Sequence, residues 1–198
     1  CRYATTKHDP RKTRRVATGE NSRGFQPTVS TQQFFTSRSD RLYVRLLFMA
    51  NSYTELHYHC VFSTKDRQML ITPEIEEQIW AIVAKTASTH GMHAQQVGGI
   101  ENHIHILLGI PKNLAVAEAM KRLKGGCSKA IKQADLIKGS FGWQDGYSAF
   151  TVSTSAVPDV IQYIRDQRQH HQKQTFEGEY VAMLEKHGVD YDPRYLWG

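Results

Sequence analysis

The stretch "GIENHIHILLG" constrains the fold of this chain more than any other part of its 198 residues. It joins two strand-like runs, residues 93–100 and 103–110, through a short polar turn. In the second run His103 and His105 alternate with isoleucines before the sequence becomes fully apolar. Side chains two apart on a strand share a face, so this strand carries two imidazoles on one face and apolar side chains on the other. The pattern predicts a β-hairpin within a sheet.

The rest of the pattern predicts an α+β fold in the order β-α-β-β-α-β-α-α. Alternating apolar residues indicate strands, and apolar residues at helical spacing with capping residues indicate helices. Such an order favours a ferredoxin-like arrangement, in which a small antiparallel sheet has helices packed on one face. The predicted strands are 53–63, 93–100, 103–110 and 147–153, and the predicted helices are 72–91, 115–137 with a break at Gly125-Gly126, 157–172 and 176–188.

The positive charge of the chain lies at its N-terminus. The formal charge is +6, but residues 1–48 hold ten Lys and Arg against three Asp and Glu, and residues 49–198 hold fifteen against sixteen. The first 41 residues lack apolar periodicity, which is typical of disorder. This segment is either a basic arm that contacts phosphates or sequence upstream of a natural start at Met49. We favour Met49, which makes residues 49–198 the folded domain.

The cysteines and the hydropathy of the chain indicate which cellular environment suits it. The three cysteines, Cys1, Cys60 and Cys127, are odd in number and far apart, which gives neither a disulfide framework nor a Cys-x-x-Cys metal pair. A reducing cytosol is the simplest location. No apolar run approaches the roughly 18 residues that a membrane helix needs, so we expect no membrane partner.

Two imidazoles side by side on a strand are a candidate pair of metal ligands. The alternative is that the rings of His103 and His105 only hydrogen-bond to neighbouring groups. His57 and His59 have the same spacing in the first strand. The local pattern does not decide between the two pairs, and at least one of them is expected to have a structural or supporting role.

The predicted helix 157–172 adds further candidates. Tyr163 and Gln167 are four residues apart and therefore share a helix face. His170 and His171 lie one turn further along and are rival ligands. On residue type alone, Tyr163 is equally a half-buried packing residue and Gln167 a solvated one.

Four stretches together carry a family resemblance. They are "ENHIHILLGIP", "WQDGYSAFTVS", "YIRDQRQHHQKQTFEGEY" and "LEKHGVDYDPRYLW". In this order and spacing they closely resemble the small single-tyrosine HUH transposases of bacterial insertion sequences, which include the REP-associated tyrosine transposases. HUH denotes a histidine, a bulky hydrophobic residue and a histidine. The resemblance covers residues 53–197 and does not extend to residues 1–48.

The resemblance implies roles for four residues and a cofactor. His103 and His105 correspond to the HUH pair, Gln167 to the third metal ligand and Tyr163 to the nucleophile, while His57 and His59 fall on a different strand. The implied cofactor is a divalent cation, Mg²⁺ or Mn²⁺, which a mixed nitrogen and oxygen ligand set accepts. One departure is Asn102, because an aspartate often precedes the first histidine in the family. We interpret this as a change beside the ligand that affects how the imidazole is oriented.

The implied activity is cleavage and rejoining of single-stranded DNA with hairpin ends, through a 5′-phosphotyrosine, by a cytoplasmic homodimer of a bacterial or archaeal cell with sites shared between subunits. His59 is a speculative base for the tyrosine proton.

A basic run of side chains is a candidate for phosphate contacts, and the alternative is that it is an ordinary solvated helix face. Trp143 and Phe150 are candidates for base stacking, and the alternative is core packing. The basic run is Lys121, Arg122, Lys124, Lys129, Lys132 and Lys138.

Other functions remain open at this point. A domesticated relative that acts on chromosomal palindromic repeats is the closest alternative. A protein that only binds DNA or RNA hairpins is a second alternative, and retention of Tyr163, Gln167 and both histidines argues against it. A metal-dependent hydrolase in which Tyr163 is structural is a third.

Overall fold

The structure is a computed structural model that describes residues 52–197. The predicted basic segment 1–48 and the predicted start at Met49 lie outside these residues. The four strands are β1 (His57–Ser63), β2 (His93–Ile100), β3 (His103–Gly109) and β4 (Ser148–Val152). The five α-helices are α1 (Glu76–Thr89), α2 (Val116–Gln133), α3 (Val157–Arg165), α4 (Gln167–His170) and α5 (Phe176–Lys186).

The strands form one sheet in the order β2-β3-β1-β4, with every neighbouring pair antiparallel. The predicted hairpin of β2 and β3 pairs Ile100 with His103, across the turn at Glu101 and Asn102. Strand β1 lies between β3 and β4 and pairs Ser63 with His103. A small antiparallel sheet with helices confirms the predicted α+β class.

One face of the sheet packs against α1 and α2. Ile104, Ile106 and Leu108 of β3 point to this face and are fully buried. They belong to one hydrophobic cluster with buried residues of both helices, among them Ile79 of α1 and Leu123 of α2. This is the predicted layer of helices on the sheet, because the apolar stripes of both helices need a surface to cover them.

The opposite face of the sheet is covered by the C-terminal helices. Val61 of β1 and Phe150 of β4 lie in a second cluster with Phe176, Met183 and Leu184 of α5. His103 and His105 point to the same face, since they alternate with the core isoleucines. The polar side chains of β3 therefore lie beneath α3, α4 and α5 rather than in solvent.

Two helix predictions differ from the structure in detail. Helix α2 is continuous through Gly125-Gly126, and a Cβ at Gly126 would lie 2.7 Å from the Thr86 methyl group. Gly126 therefore allows α1 and α2 to pack closely rather than breaking the helix. The predicted helix 157–172 is divided at Asp166, whose backbone (φ −88°, ψ 11°) leaves the helical region. Within the described residues no helix is long and apolar enough to span a membrane.

Gly98 of β2 sets how closely α3 approaches the sheet. A Cβ at this position would lie 2.5 Å from the carbonyl oxygen of Ile164 and 3.0 Å from its Cγ2. The nearest atom belongs to the helix backbone and not to the flexible end of a side chain, so it cannot move aside easily. The absence of a side chain at Gly98 is therefore what lets α3, and Tyr163 with it, lie against β2.

We expect Gly98→Ala to destabilise the protein by about 1–3 kcal/mol, because the added methyl group forces α3 away from β2. Urea unfolding followed by circular dichroism measures this free energy. Gly125→Ala is the matched control: a Cβ there meets nothing within 4 Å, and alanine is favoured over glycine inside a helix. Equal stability of the two variants would contradict the close approach of α3.

Candidate active site

His103 and His105 lie side by side on the sheet face that the C-terminal helices cover. Both side chains are fully buried, and their ring centroids are 5.0 Å apart. His103 also stacks on Phe176 of α5, with ring centroids 4.2 Å apart. The alternation of β3 thus places both imidazoles in one pocket under the helices.

Helices α3 and α4 bring Tyr163 and Gln167 to these histidines within one chain. The half-buried Tyr163 donates a hydrogen bond from its hydroxyl to Oε1 of Glu179. Gln167 is 1% exposed, and its Nε2 donates to the same oxygen at 3.0 Å. The Gln167 Oε1 atom lies 3.4 Å from Nε2 of His103. The structure therefore brings together all four residues predicted for the chemistry.

Glu179 of α5 lies at the centre of this group and was missed by the sequence analysis. Its side chain is 2% exposed. The Oε2 atom lies 3.1 Å from Nε2 of His171, 3.4 Å from Nε2 of His105 and 3.5 Å from Nε2 of His103. Of the two rival histidines, His171 points into the group, and His170 lies at its edge, 3.5 Å from Oε1 of Glu179.

The sequence does contain a signal for Glu179. The buried residues of α5 include Phe176, Met183 and Leu184. Glu179 is three residues after Phe176 and four residues before Met183, so it occupies a core position of an amphipathic helix. A carboxylate at such a position is rare unless it is paired, which makes it a candidate for a buried polar site.

Hydrogen bonds on the far side of the rings orient the imidazoles. Nδ1 of His103 lies 2.8 Å from the Asn102 side-chain oxygen, and Nδ1 of His171 lies 2.9 Å from the Gln174 carbonyl oxygen. Both oxygens can only accept a hydrogen bond, so the Nδ1 atoms of His103 and His171 each carry a proton. Asn102 thus performs the orienting role expected of the residue before the first histidine. Nδ1 of His105 is 3.0 Å from Nε2 of His59.

The donor set fits a divalent cation. With a proton on Nδ1, neutral His103 turns an Nε2 lone pair toward the oxygens of Gln167 and Glu179, so no hydrogen lies between them. Nε2 of His105 is buried without a hydrogen-bond partner. An ion with ligands at about 2.1 Å holds neighbouring ligand atoms about 3.0–3.4 Å apart, close to the 3.4–3.5 Å separations here. Imidazole nitrogens with amide and carboxylate oxygens suit Mn²⁺ or Mg²⁺.

Burial and hydrogen bonding set the charge states of the site. Burial raises the pKa of the Glu179 carboxyl, but the facing imidazoles of His103, His105 and His171 hold that pKa well below its usual range. Burial, and then the hydrogen bond to the Glu179 carboxylate, raises the pKa of the Tyr163 hydroxyl. Burial opposes protonation of His171, but its contact with Glu179 outweighs this and raises its pKa. The site therefore combines an ionised carboxylate with a neutral phenol.

The pair His57 and His59 does not form a second site of this kind. His59 is hydrogen-bonded to His105 and supports that ring from behind. His57, at the other end of β1, is bonded to Gln95 at 2.8 Å and paired with Glu55 at 3.0 Å. The rings of His59 and Tyr163 lie edge-on with centroids 5.8 Å apart, but the Tyr163 hydroxyl donates to Glu179. That His59 takes the tyrosine proton stays a prediction.

Arg168 fixes the short helix α4 beside the site. Its guanidinium pairs with Glu76 at the start of α1 and, at 2.9 Å, with Glu101 in the β2–β3 turn. Gln167 directly precedes it. The ion pairs therefore join the helix that carries Gln167 to the turn that precedes His103.

The residues predicted to contact DNA have different positions. Lys121, Lys129 and Lys132 are exposed on α2, while Arg122 pairs with Glu118 and Lys124 donates to the carbonyl oxygens of Gln144 and Gly146. Because α2 packs on the other face of the sheet, this helix is separated from the histidines by the sheet itself. The basic helix is not part of the pocket.

Trp143 and Phe150, the candidates for base stacking, both lie in the hydrophobic clusters. Trp143 is 9% exposed, packs edge-on against Phe62 and Phe141, and donates from its indole nitrogen to the Cys127 sulfur at 3.2 Å. Phe150 is 6% exposed and stacks on His187. Both rings serve the hydrophobic clusters, which is the alternative that large aromatic residues usually follow.

The buried His103 and His105 beside the helix of Tyr163 have the arrangement that the family resemblance implies. The chain belongs to the family described as "Transposase IS200 like", which matches residues 52–167. The family resemblance read from the sequence is thereby confirmed.

Individual relatives agree with this family. The chain is 24% identical over 118 residues to the ISDra2 transposase TnpA of Deinococcus radiodurans, covering 57% of this chain and 84% of that protein. It is 27% identical over 122 residues to the transposase for insertion sequence element IS200 of Salmonella typhimurium, covering 58% and 80%. Among solved structures, a REP-associated tyrosine transposase bound to a REP hairpin matches at 12% identity, 62% and 73% coverage and a TM-score of 0.45.

We expect the metal-free protein to lose stability between pH 6.5 and pH 5. Burial, as the largest cause, lowers the pKa of His59 from 6.5 to about 3 and that of His103 from 6.5 to about 4. Below pH 6.5 the unfolded chain binds protons that the folded chain does not, so acidification favours unfolding. His171 acts in the opposite direction, which leaves an expected loss of about 1–3 kcal/mol.

Denaturant unfolding in EDTA at the two pH values measures this loss. His59→Gln removes one titrating ring and keeps a hydrogen-bonding side chain, so its loss should be smaller than that of the unmodified protein. A free energy of unfolding that is constant from pH 6.5 to pH 5 would contradict the assignment of neutral, buried rings.

Proposed function

We propose that this protein is a DNA transposase that cleaves and rejoins single-stranded DNA through a covalent 5′-phosphotyrosine. The observation that carries the proposal is the contact of Tyr163 with Glu179, whose other oxygen faces His103 and His105. A nucleophile, a carboxylate and two imidazoles thus share one pocket in one chain. Membership of the transposase family supports DNA as the substrate.

The reaction is a transesterification at one phosphodiester. The Tyr163 oxygen bonds to phosphorus, the DNA 3′-oxygen leaves with a proton, and the strand stays attached to the protein through its 5′-phosphate. Because the product retains a phosphodiester linkage, a second 3′-hydroxyl can attack and release the tyrosine without ATP. Rejoining is therefore the reverse of cleavage on a different strand end.

The residues of the pocket have separate tasks. His103, His105 and Gln167 would hold a divalent cation, Mg²⁺ or Mn²⁺. When bound, such an ion polarises the phosphate and stabilises the charge that develops on it. Tyr163 is held at the pocket by its hydrogen bond, with its phenol neutral at pH 7. Asn102 and His59 keep the two imidazoles turned toward the pocket.

The substrate we propose is single-stranded DNA with hairpin ends. Lys121, Lys129 and Lys132 extend from α2 into solvent and are the remaining candidates for phosphate contacts, which are electrostatic and salt-dependent. They lie on the far side of the sheet from Tyr163. Contacts by these lysines would therefore hold a part of the DNA that is remote from the cleaved bond.

The test is a covalent adduct on a denaturing gel. The protein is incubated with Mg²⁺ or Mn²⁺ and single strands taken from both flanks of its own gene. We expect a protein–DNA adduct that Tyr163→Phe abolishes, because phenylalanine lacks the attacking oxygen. His105→Ala should also reduce it to background, and Tyr195→Phe, at a side chain that is 76% exposed, should leave it unchanged.

Other outcomes select the alternatives. An adduct that survives Tyr163→Phe would place the nucleophile elsewhere. Nicked DNA without an adduct would favour a hydrolase. Retarded hairpins on a native gel without any reaction would favour a binding-only protein, and reaction only with chromosomal palindromic repeats would favour the domesticated relative.

We propose a homodimer in which each subunit uses its own tyrosine. Ile164 of α3 contacts Gly98 of its own sheet, so one chain assembles Tyr163 and both histidines without a partner. A mixture of Tyr163→Phe and His105→Ala proteins should therefore form no adduct, since neither subunit holds a complete site. Adduct formation by the mixture would instead mean that the tyrosine helix is exchanged between subunits. A mixture of Tyr163→Phe with unmodified protein is the positive control.

A further inference from the structure

Glu179 is a buried carboxylate that the family match does not include. The match ends at residue 167, and Glu179 lies twelve residues further on, in α5. The proposal above uses Glu179 only to hold Tyr163. Yet Glu179 contacts Tyr163, Gln167, His103 and His105, which calls for an explanation of its own.

The two oxygens of Glu179 have different surroundings. Oε1 accepts hydrogen bonds from the Tyr163 hydroxyl and from Nε2 of Gln167. Oε2 faces the histidines, at 3.4 Å from Nε2 of His105 and 3.5 Å from Nε2 of His103. The carboxylate thus lies between the nucleophile and the imidazole pair, with one oxygen toward each.

Two contacts on the Oε2 side are not hydrogen bonds. His103 carries its proton on Nδ1, where Asn102 accepts it, so its Nε2 presents a lone pair to the carboxylate. Nε2 of His105 is the one buried side-chain nitrogen or oxygen atom among residues 52–197 without a hydrogen-bond partner. The lone pair of His103 repels the buried carboxylate, and a cation between them would offset this repulsion.

His171 has a supporting place in this arrangement. Its Nδ1 donates to the Gln174 carbonyl oxygen, and its Nε2 lies 3.1 Å from both Glu179 Oε2 and Gln167 Oε1. It therefore positions the two oxygen-bearing side chains from outside. Histidines and their hydrogen-bonded carboxylates are often paired in this way around metal ions.

We infer that Glu179 is a fourth ligand of the divalent cation and at the same time holds the Tyr163 hydroxyl beside it. The ion, the nucleophile and α5 are then joined by one side chain. This inference rests on the proposed function for the identity of the nucleophile, but the ligand role stands on the geometry of Glu179 and the histidines alone.

A carboxylate ligand changes what the site binds. Two imidazoles and an amide are neutral, so an ion held by them keeps its full double charge. Glu179 adds one negative charge and a hard oxygen, which strengthens binding of Mn²⁺ and Mg²⁺. The proposed site is therefore formed by two strand residues and two helix residues, of which one follows the family match.

The test measures metal affinity without DNA. Mn²⁺ is titrated into the metal-free, full-length protein by calorimetry at pH 7. Glu179→Gln keeps the size of the side chain and an oxygen acceptor but removes the charge, and we expect its Kd for Mn²⁺ to be at least about 10-fold weaker. Glu185→Gln, at an exposed position of the same helix, should bind Mn²⁺ as the unmodified protein does.

A folding measurement and one further variant separate the ligand role from folding. Thermal unfolding in EDTA shows whether Glu179→Gln remains folded, and if it does not, Glu179→Asp keeps the charge and withdraws the oxygens by one methylene. Weaker Mn²⁺ binding by the folded Gln variant or by the Asp variant supports the inference. Mn²⁺ affinity within twofold of the unmodified protein in either folded variant overturns it.

The outcome is independent of the adduct experiment. Tyr163→Phe should bind Mn²⁺ normally, because the hydroxyl is not a ligand. If the unmodified protein binds Mn²⁺ through Glu179 but forms no adduct with any DNA, the ligand role stands and the proposed function fails. If adducts form and Mn²⁺ affinity does not depend on Glu179, the function stands and this inference fails.

Discussion

The burial of a carboxylate among imidazoles is the interaction on which the C-terminal half of this structure depends. Glu179, His103 and His105 are almost completely removed from water, and groups of this kind are stable in a protein interior only when they are paired. Pairing requires α5 to lie across β3 at a fixed position. The apolar contacts of Phe176, Met183 and Leu184 with the sheet supply the attraction that holds it there.

The position of Tyr163 follows from two contacts that lie outside the cluster. Gly98 lets α3 lie directly on β2, and Arg168 ties α4 to the β2–β3 turn by ion pairs with Glu76 and Glu101. The break at Asp166 lies between them and allows α3 and α4 to take different directions. Tyr163 and Gln167 consequently reach the same carboxylate oxygen of Glu179, although no continuous helix joins them.

The sequence predicts the sheet and much of the site because both produce recognisable patterns within short stretches of the chain. The alternation around His103 and His105 gives the strand, its faces and the candidate ligands, and the resemblance adds Tyr163 and Gln167. The sequence does not predict the place of Glu179 in the site, because that depends on which sheet face a distant segment covers. A charge at a core position of α5 is visible in the sequence, but its partners lie on β3, more than 70 residues away.

The two faces of the sheet divide the demands on the protein. One face, with Ile104 and Ile106 against α1 and α2, is an ordinary apolar core that stabilises the fold. The other face carries polar and charged side chains in place of part of an apolar core, and the C-terminal helices cover these side chains. The match to the family ends at residue 167, whereas the cover of this face continues into α5. If the proposed function and the inferred role of Glu179 hold, the affinity of this chain for its ion and the restraint on Tyr163 both depend on a helix beyond the matched region.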